Sequence, residues 1–271
     1  MCTNKYFIAL DLDGTLLRSD KTISDKTKQY LKNLSSKGNF ISIASGRPIN
    51  YVKGLYKDLG FQGPFVAYNG GYIEIPSLNF CETIVINKDY IKEFYKENIG
   101  HTIDSLMCET INSAYVDKED TLLERFFSHE GLKKHKGDIS KILNDDCMCC
   151  VFKIAQPIET NKTKIFEYFN KNPNYKFRFW STFDYGEIVI PDVTKGTKLK
   201  KIVDICGVLD EKTLVFGDAI NDKEMLENFT NSFVMINGEP AMKSIAKYIT
   251  KKDNDHDGVI SSIDDFINNR I

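Results

Sequence analysis

An α/β fold with a parallel sheet, carrying a smaller inserted α+β domain, is predicted for this 271-residue sequence by three observations. Short apolar runs alternate with helical stretches over the first 75 residues. Paired strand-like runs with intervening helices replace that pattern between about residues 87 and 190, and strict alternation returns in the last third. Alternation argues for parallel strands with helices on both faces, and paired strands with helices argue for an antiparallel sheet. Residues 1–81 and 190–271 are therefore expected to form one core, and residues 82–189 an inserted domain.

The elements follow in order. Tyr6–Leu10 is a β-type run. Ser24 can cap a helix with Thr27–Leu34 as its body and Gly38 as its stop. Phe40–Ala44 is the next strand, and Pro48 starts a helix that ends at Gly60. Phe65–Ala67 is a third strand. Tyr72–Ile75 and Ile84–Ile86 read as a hairpin around Pro76, Ser77 and Asn79. In the insert, Asn87 or Asp89 caps a helix to Ile99, strands follow at Thr102–Met107 and Ala114–Val116, and a helix covers Lys118–His129. Gly131–Asp146 is polar and reads as loop with a helical turn. Strand Cys149–Ala155, helix Glu159–Asn170 and strands Tyr175–Trp180 and Gly186–Ile190 complete it. The last third gives helix Lys198–Ile205, strand Thr213–Phe216, helix Asp222–Asn228, strand Phe233–Met235, helix Pro240–Ala246, strand Tyr248–Ile249 and helix Ile260–Ile267.

Lys+Arg 36 against Asp+Glu 38 gives a net charge of -2, with 42% hydrophobic and 27% charged residues. These values exclude disorder, collagen and coiled coil as whole-chain readings. A near-neutral balance argues against a nucleic-acid binder. No stretch approaches the ~18–20 apolar residues of a membrane span, and the run Tyr6–Leu10 is too short for a signal peptide. Cys2 stands where myristoylation needs glycine, and Asn268–Ile271 offers no prenylation cysteine. A cytoplasmic monomer with neither nucleic-acid nor membrane partners is expected.

Seven cysteines, an odd number, do not suggest a disulfide framework. Cys147-Met148-Cys149-Cys150 looks like a metal clump, yet it runs into the apolar strand Val151–Ala155. Free cysteine behaves as a small buried hydrophobe, so these read as strand thiols. Neither a second CxxC pair nor a histidine spacing completes a zinc site.

Asp11-Leu12-Asp13-Gly14-Thr15 follows directly on the first strand. Ligands of parallel sheets bind beyond the carboxyl ends of strands, and two carboxylates at i and i+2 project there toward one site. Buried carboxylates that repel each other need a cation or a proton, and Mg²⁺, hard and oxygen-seeking, is the natural partner. The plainer alternative is an Asx turn leaving the strand.

Asp11-Leu12-Asp13-Gly14-Thr15-Leu16 resembles the first motif of the haloacid dehalogenase superfamily of phosphohydrolases. Ser45-Gly46-Arg47 resembles the second motif, Lys195-Gly196 the third and Gly217-Asp218-Ala219-Ile220-Asn221-Asp222 the fourth, in the family's order. The insert lies between the second and third, as in the subgroup with a C2B cap. Tyr68-Asn69-Gly70-Gly71 and Asp257-Gly258-Val259 further resemble the Cof-type branch, although Gly71 and Ala219 depart from its usual residues. The resemblance implies a Rossmann-like parallel sheet core and a Mg²⁺-dependent phosphatase acting on a small phosphate monoester, such as a sugar phosphate or a phosphorylated cofactor. It also implies that the insert is a cap that opens and closes on hinges near Phe80–Cys81 and Ile190–Thr194.

The same resemblance assigns the roles. Asp11 is the nucleophile that forms an aspartyl-phosphate. Asp13 protonates the leaving alkoxide and then takes a proton from water. Asp11, the backbone carbonyl of Asp13 and Asp218 hold Mg²⁺, and Asp222 supports that shell. Ser45 donates its hydroxyl and backbone N–H to the phosphoryl group, Lys195 places a positive charge between phosphate and Asp11, and Asn221 bonds the phosphoryl group or orients Asp218. Gly46, Arg47 and Asn69 contact substrate. Ser45 taken alone is a helix N-cap, and Lys195 taken alone a surface lysine.

Asp253-Asn254-Asp255-His256-Asp257-Gly258 fits the start of a calcium-binding EF-hand loop. However, Asp264 stands where a bidentate Glu is normal, and a strand rather than a helix leads in. A phosphomutase of the same superfamily and a non-catalytic sensor of a phosphorylated ligand are the competing readings.

Overall fold

The computed structural model describes residues 5–127, 131–180 and 183–270. Cys2, His129 and Ile271 lie outside them, as does the end of the helix expected over Lys118–His129. Among the described residues, no helix is long and apolar enough to cross a membrane.

Strand β1 (Phe7–Leu10) is buried throughout. Helix α1 (Asp25–Ser36) starts where the Ser24 side chain accepts the Thr27 N–H. Strand β2 (Phe40–Ala44) precedes α2 (Ile49–Leu59), which stops at left-handed Gly60. Strand β3 (Phe65–Ala67) pairs antiparallel with β4 (Tyr72–Ile75). Strand β5 (Phe80–Thr83) begins earlier than the alternation suggests. A 3-10 turn at Pro76–Leu78 and a left-handed Asn79 reverse the chain at once, whereas Ile86 exchanges backbone bonds with Cys147.

The insert opens with α3 (Lys88–Asn98), whose cap Asn87 accepts from the N–H groups of Asp89 and Tyr90. Next come β6 (Ile103–Glu109), β7 (Ser113–Val116), α4 (Thr121–Phe126), β8 (Lys133–Lys136) and α5 (Ile139–Ile142). Strand β9 (Cys149–Ile154), α6 (Ile158–Lys171), β10 (Lys176–Phe179) and β11 (Tyr185–Val189) complete it. The chain then runs through α7 (Lys195–Cys206), β12 (Thr213–Gly217), α8 (Lys223–Asn228), β13 (Asn231–Val234), α9 (Pro240–Lys243), β14 (Tyr248–Ile249) and α10 (Gly258–Ile267).

Two compact units result. Residues 1–82 and 194–271 form one, and residues 83–193 the other. The first holds an eight-stranded sheet in the order β14-β13-β12-β1-β2-β3-β4-β5, parallel from β14 to β3. Phe7, Ala9, Val66 and Val215 pack with Leu199 and Ile202 of α7 and Met225 of α8 on one face.

The second unit has a six-stranded sheet in the order β10-β11-β9-β6-β7-β8. It departs from the antiparallel expectation, because β8 pairs parallel with β7 in the stretch expected as loop. Lys133-Lys134-His135-Lys136 carries no apolar alternation, and lysines suit an exposed edge strand; the His135 ring stacks on Tyr115 at 4.8 Å. This unit has its own core, in which Phe94, Phe152, Ile165 and Phe169 meet Cys108, Cys147 and Cys150. Of the thiols expected to be buried, Cys147 and Cys150 are buried and Cys149 only partly so; Cys108 is buried as well, whereas Cys81 is exposed.

Candidate active site

Parallel pairing sets the first two carboxylates side by side. Leu10 is in register with Phe216, and the Asp11 N–H extends that ladder to the Phe216 carbonyl at 3.0 Å. Asp11 and Asp218 thus leave neighbouring strands at the same carboxyl edge. Gly14 lies between their loops with φ +82°, and an added Cβ would stand 2.4 Å from Asp218 Oδ2. Only glycine accommodates both that conformation and that approach.

Lys195 comes from the first turn of α7. The Thr194 side chain accepts the Thr197 N–H while the Thr197 hydroxyl accepts the Thr194 N–H. The helix therefore starts at Lys195, three residues earlier than expected, and Gly196 lets it run against α8, where a Cβ would meet the Glu224 carbonyl carbon at 2.4 Å. Lys195 is 0% exposed. Its Nζ donates to Asp11 Oδ1 at 2.6 Å and to Asp222 Oδ1 at 2.7 Å. Asp222 Oδ2 accepts the N–H groups of Asp218 and Ala219 at 2.9 and 3.2 Å. Both Asp222 oxygens are thus engaged, one holding the lysine and one the turn that carries Asp218.

Carboxylate oxygens of Asp11, Asp218 and Asp222 lie within 4.8 Å of one another. Burial first, and then the Asp222 charge, push the Asp11 carboxyl above its ordinary range, with Lys195 opposing. Burial and the charges of Asp11 and Asp222 push Asp218 up as well, although the Thr15 hydroxyl donates to it at 3.2 Å. Burial alone would lower the Lys195 pKa, but the charges of Asp11 and Asp222 prevail and raise it. One ammonium leaves two buried carboxylates and a partly buried third short of cation, and protons or a metal would supply the missing charge. Hard oxygen donors at this spacing fit Mg²⁺.

Asp13 stands in a different field. Arg47 Nε donates to Oδ2 and Nη2 to Oδ1, each at 2.8 Å, and Lys21 Nζ reaches Oδ1 at 2.7 Å. Burial works upward on its pKa, but Arg47 and then Lys21 outweigh it and hold the carboxyl at about 2. Arg47 is buried, with its guanidinium over the Tyr51 ring at 4.3 Å.

Ser45 is buried, and its roles differ from the expected ones. Its N–H goes to the Val66 carbonyl at 3.0 Å, which removes the backbone donor expected for phosphate. Its Oγ accepts the Arg47 N–H at 3.1 Å. Nor is it a helix cap, since Pro48 occupies that position for α2. Asn69 has φ 53°, and its N–H donates to the Ser45 carbonyl at 3.0 Å. Asn221 Nδ2 donates to Asn69 Oδ1 at 3.2 Å, and a Cβ on Gly46 would come within 3.0 Å of that oxygen. Ser45, Gly46, Arg47, Asn69 and Asn221 therefore form one group linked to Asp13. Lys21 and Thr15 escaped the sequence reading. Lys21 is one lysine among many in a polar stretch, and Thr15 lay in view within the first motif.

The EF-hand-like loop has no ligand arrangement. Asp253 Oδ1 takes the His256 N–H, Asp255 takes the Ser19 N–H and hydroxyl, and Asp257 takes the hydroxyls of Ser24 and Thr27. Each carboxylate is spent on the polypeptide.

Comparison with known proteins agrees with this geometry. A model of haloacid dehalogenase-like hydrolases matches residues 8–263. The 5-amino-6-(5-phospho-D-ribitylamino)uracil phosphatase YitU of Bacillus subtilis (strain 168) is 29% identical over 96% of this chain and 96% of its own. M6_Spy0533 of Streptococcus pyogenes serotype M6, whose name gives phosphatase as a provisional activity, is 31% identical over 92% of this chain and 93% of its own. A haloacid dehalogenase-like hydrolase of Bacteroides thetaiotaomicron superposes with a TM-score of 0.80 at 22% identity, over 97% of this chain and 100% of its own.

Proposed function

The chain belongs to the haloacid dehalogenase-like hydrolases, and on that premise we propose that it hydrolyses a small phosphate monoester through an aspartyl-phosphate on Asp11, with Mg²⁺ as cofactor. As a member of that family it is a phosphatase. One observation carries the mechanism: a fully buried lysine bridges Asp11 and Asp222 beside Asp218, at the carboxyl ends of two adjacent parallel strands.

Asp11 attacks phosphorus in line and displaces the alkoxide. Lys195 fixes one Asp11 oxygen, leaving the other to attack, and its charge offsets part of the repulsion between carboxylate and phosphate dianion. Asp11 and Asp218, with the Asp13 carbonyl, would hold Mg²⁺, which supplies charge neutralisation on the transferring phosphoryl oxygens. Asp222 keeps Lys195 and the Asp218 turn in place. The Ser45 hydroxyl donates to a phosphoryl oxygen, and the Asn69–Asn221 pair borders the same group.

Asp13 protonates the leaving oxygen and later deprotonates the attacking water. The doubly clamped carboxylate cannot donate a proton. The arriving phosphate dianion competes for Arg47 and Lys21, and a weakened clamp lets Asp13 take up the proton that it passes on. We assign leaving-group choice to the insert, residues 82–189, as a cap; its separate core supports treating it as an independent body. A phosphate on a ribityl chain, as in the substrate named for YitU, is one candidate within the sugar-phosphate or phosphorylated-cofactor class.

The test is hydrolysis of p-nitrophenyl phosphate by wild type and by Asp11→Asn, with Mg²⁺ and with chelator. Turnover should require the metal and should fall by many powers of ten in the variant, because a covalent nucleophile is lost. Near wild-type turnover by folded Asp11→Asn would overturn the mechanism.

A further inference from the structure

The loop from Asp253 to Asp257 spends its carboxylates on the polypeptide, and several of its contacts reach the segment that follows Asp13. That segment, residues 14–22, is an irregular loop held by short-range bonds and by distant ones. Leu17 N–H reaches the Leu12 carbonyl at 2.8 Å, Arg18 N–H reaches the Thr22 carbonyl at 2.8 Å, and Asp13 and Leu17 form an isolated bridge. Thr15 N–H reaches the Leu12 carbonyl at 3.3 Å, Leu16 N–H the Asp11 carbonyl at 3.2 Å, and Lys21 Nζ the Asp13 carboxylate at 2.7 Å, and a further set of anchors comes from more than 200 residues away. Asn237 Nδ2 donates to the Gly14 carbonyl at 2.8 Å, and Asn254 Nδ2 donates to the Leu17 carbonyl at 2.9 Å. The two asparagines are themselves joined, Asn254 N–H to Asn237 Oδ1 at 3.3 Å. Asp255 holds Ser19, and Asp257 holds Ser24 and Thr27.

We propose that Asn237 and Asn254 are positioning residues for Asp13. One grips the carbonyl directly after Asp13, and the other grips the residue bridged to it. The loop carrying Asn237 also bonds the opposite side of the site, since the Glu239 N–H reaches the Asp218 carbonyl at 2.8 Å. A single brace therefore sets the spacing between the loop of Asp13 and the loop of Asp218. A general acid must come within about 2.6–3.2 Å of the leaving oxygen, and a misplacement of about 1 Å can cost about a hundredfold in rate. Both side-chain amides are spent on backbone carbonyls of the loop that follows Asp13, so their effect is expected to pass through that loop.

The inference rests on the proposed function, in which Asp13 is the acid, and leaving-group dependence tests the two separately. p-Nitrophenolate departs without a proton, whereas the alkoxide of glycerol phosphate needs one. Asp13→Ala should therefore lose far more turnover of glycerol phosphate than of p-nitrophenyl phosphate. Asn254→Ala and Asn237→Ala should reproduce that imbalance at about tenfold or more, with melting temperatures near wild type. Asn254→Asp, which keeps the size but has no donor for the Leu17 carbonyl, should behave like the alanine variant and guards against a folding defect in it. If Asp13→Ala shows the imbalance while the asparagine variants lose both activities equally, or neither, the brace is overturned and the acid assignment stands. If Asp13→Ala itself shows no imbalance, the acid assignment falls and the brace falls with it.

Discussion

Arg47 holds Asp13 by a two-point fork, Nε on Oδ2 and Nη2 on Oδ1, each at 2.8 Å. A planar guanidinium matches a carboxylate in this way, and a lysine cannot replace it. Arg47 is itself fixed by burial and by Tyr51. The residue assigned as acid is thus stored as a carboxylate, and its partners are already in place before substrate arrives.

Replacing Arg47 with Met should free Asp13 to titrate higher. Its carboxyl is held at about 2 against an ordinary 3.8, so carbon NMR of the labelled side chain should show the midpoint rising in the variant. A depressed folded value stabilises the protein above the ordinary pKa, and that stability is lost as pH falls through the folded one. The stability difference between wild type and variant should therefore be full at neutral pH and shrink between about pH 4 and about pH 2. An unmoved midpoint would show that Lys21 alone sets the ionisation.

Lys195→Met should destabilise the fold by about 3–5 kcal/mol, because it strands Asp11 and Asp222 as buried charges. Asp11, whose carboxyl burial already pushes upward, regains neutrality by binding a proton, so the deficit in urea unfolding should narrow toward acid pH. Adding Asp222→Asn should recover part of the loss, since neighbours that share a network do not add independently. A loss indistinguishable from that of a surface lysine would contradict the triad.

Gly14→Ala should impair turnover more than it impairs folding. The added Cβ collides with Asp218 Oδ2, and φ +82° disfavours any side chain. Backbone strain of this kind costs of order 1–3 kcal/mol, while a displaced Asp218 damages the carboxylate group directly. Kinetics with p-nitrophenyl phosphate should show at least a tenfold fall in kcat, with a cooperative melt retained. Unchanged kcat would mean that the loop relaxes freely.

Much of this was legible in the sequence, for identifiable reasons. Strands β1, β2 and β3 are short, almost wholly buried apolar runs, and two-sided burial leaves that signature. Asp11 stood out with Asp13 as a carboxylate pair directly after the first strand, whereas Asp218 and Lys195 were reached only through the order of four motifs. Strand β8 was missed because Lys133–Lys136 lies at an edge and buries almost nothing. The start of α7 was missed because Gly196 lowers helix propensity and the Thr194–Thr197 box lacks the usual acidic partner. The engagement of the Ser45 N–H with Val66 depends on a neighbouring strand and has no local signal. The brace joins residues more than 200 apart through asparagine side chains, a chemistry with no periodicity to read.

The pH dependence of metal binding follows from the same carboxylates. Burial and mutual repulsion raise Asp11 and Asp218 above their unfolded values. A carboxylate with a raised folded pKa holds its proton more tightly when folded, so without a cation stability declines as pH rises through that value. A divalent ion replaces the missing protons, and its stabilisation follows RT ln(1 + [L]/Kd), about 2.7 kcal/mol at a hundredfold excess over Kd. The melting temperature in Mg²⁺ minus that in chelator should therefore be several degrees at about pH 8 and clearly smaller at about pH 5, where protons compete. Asp218→Asn should abolish the increment at both pH values while leaving the chelator curve equal to or above that of wild type, because it removes one repelling charge. Ca²⁺ should raise the melting temperature yet support little turnover, since its longer, looser coordination misplaces the phosphoryl group relative to Asp11. An equal Mg²⁺ increment in Asp218→Asn, or an increment larger at acid pH, would mean that the metal binds elsewhere.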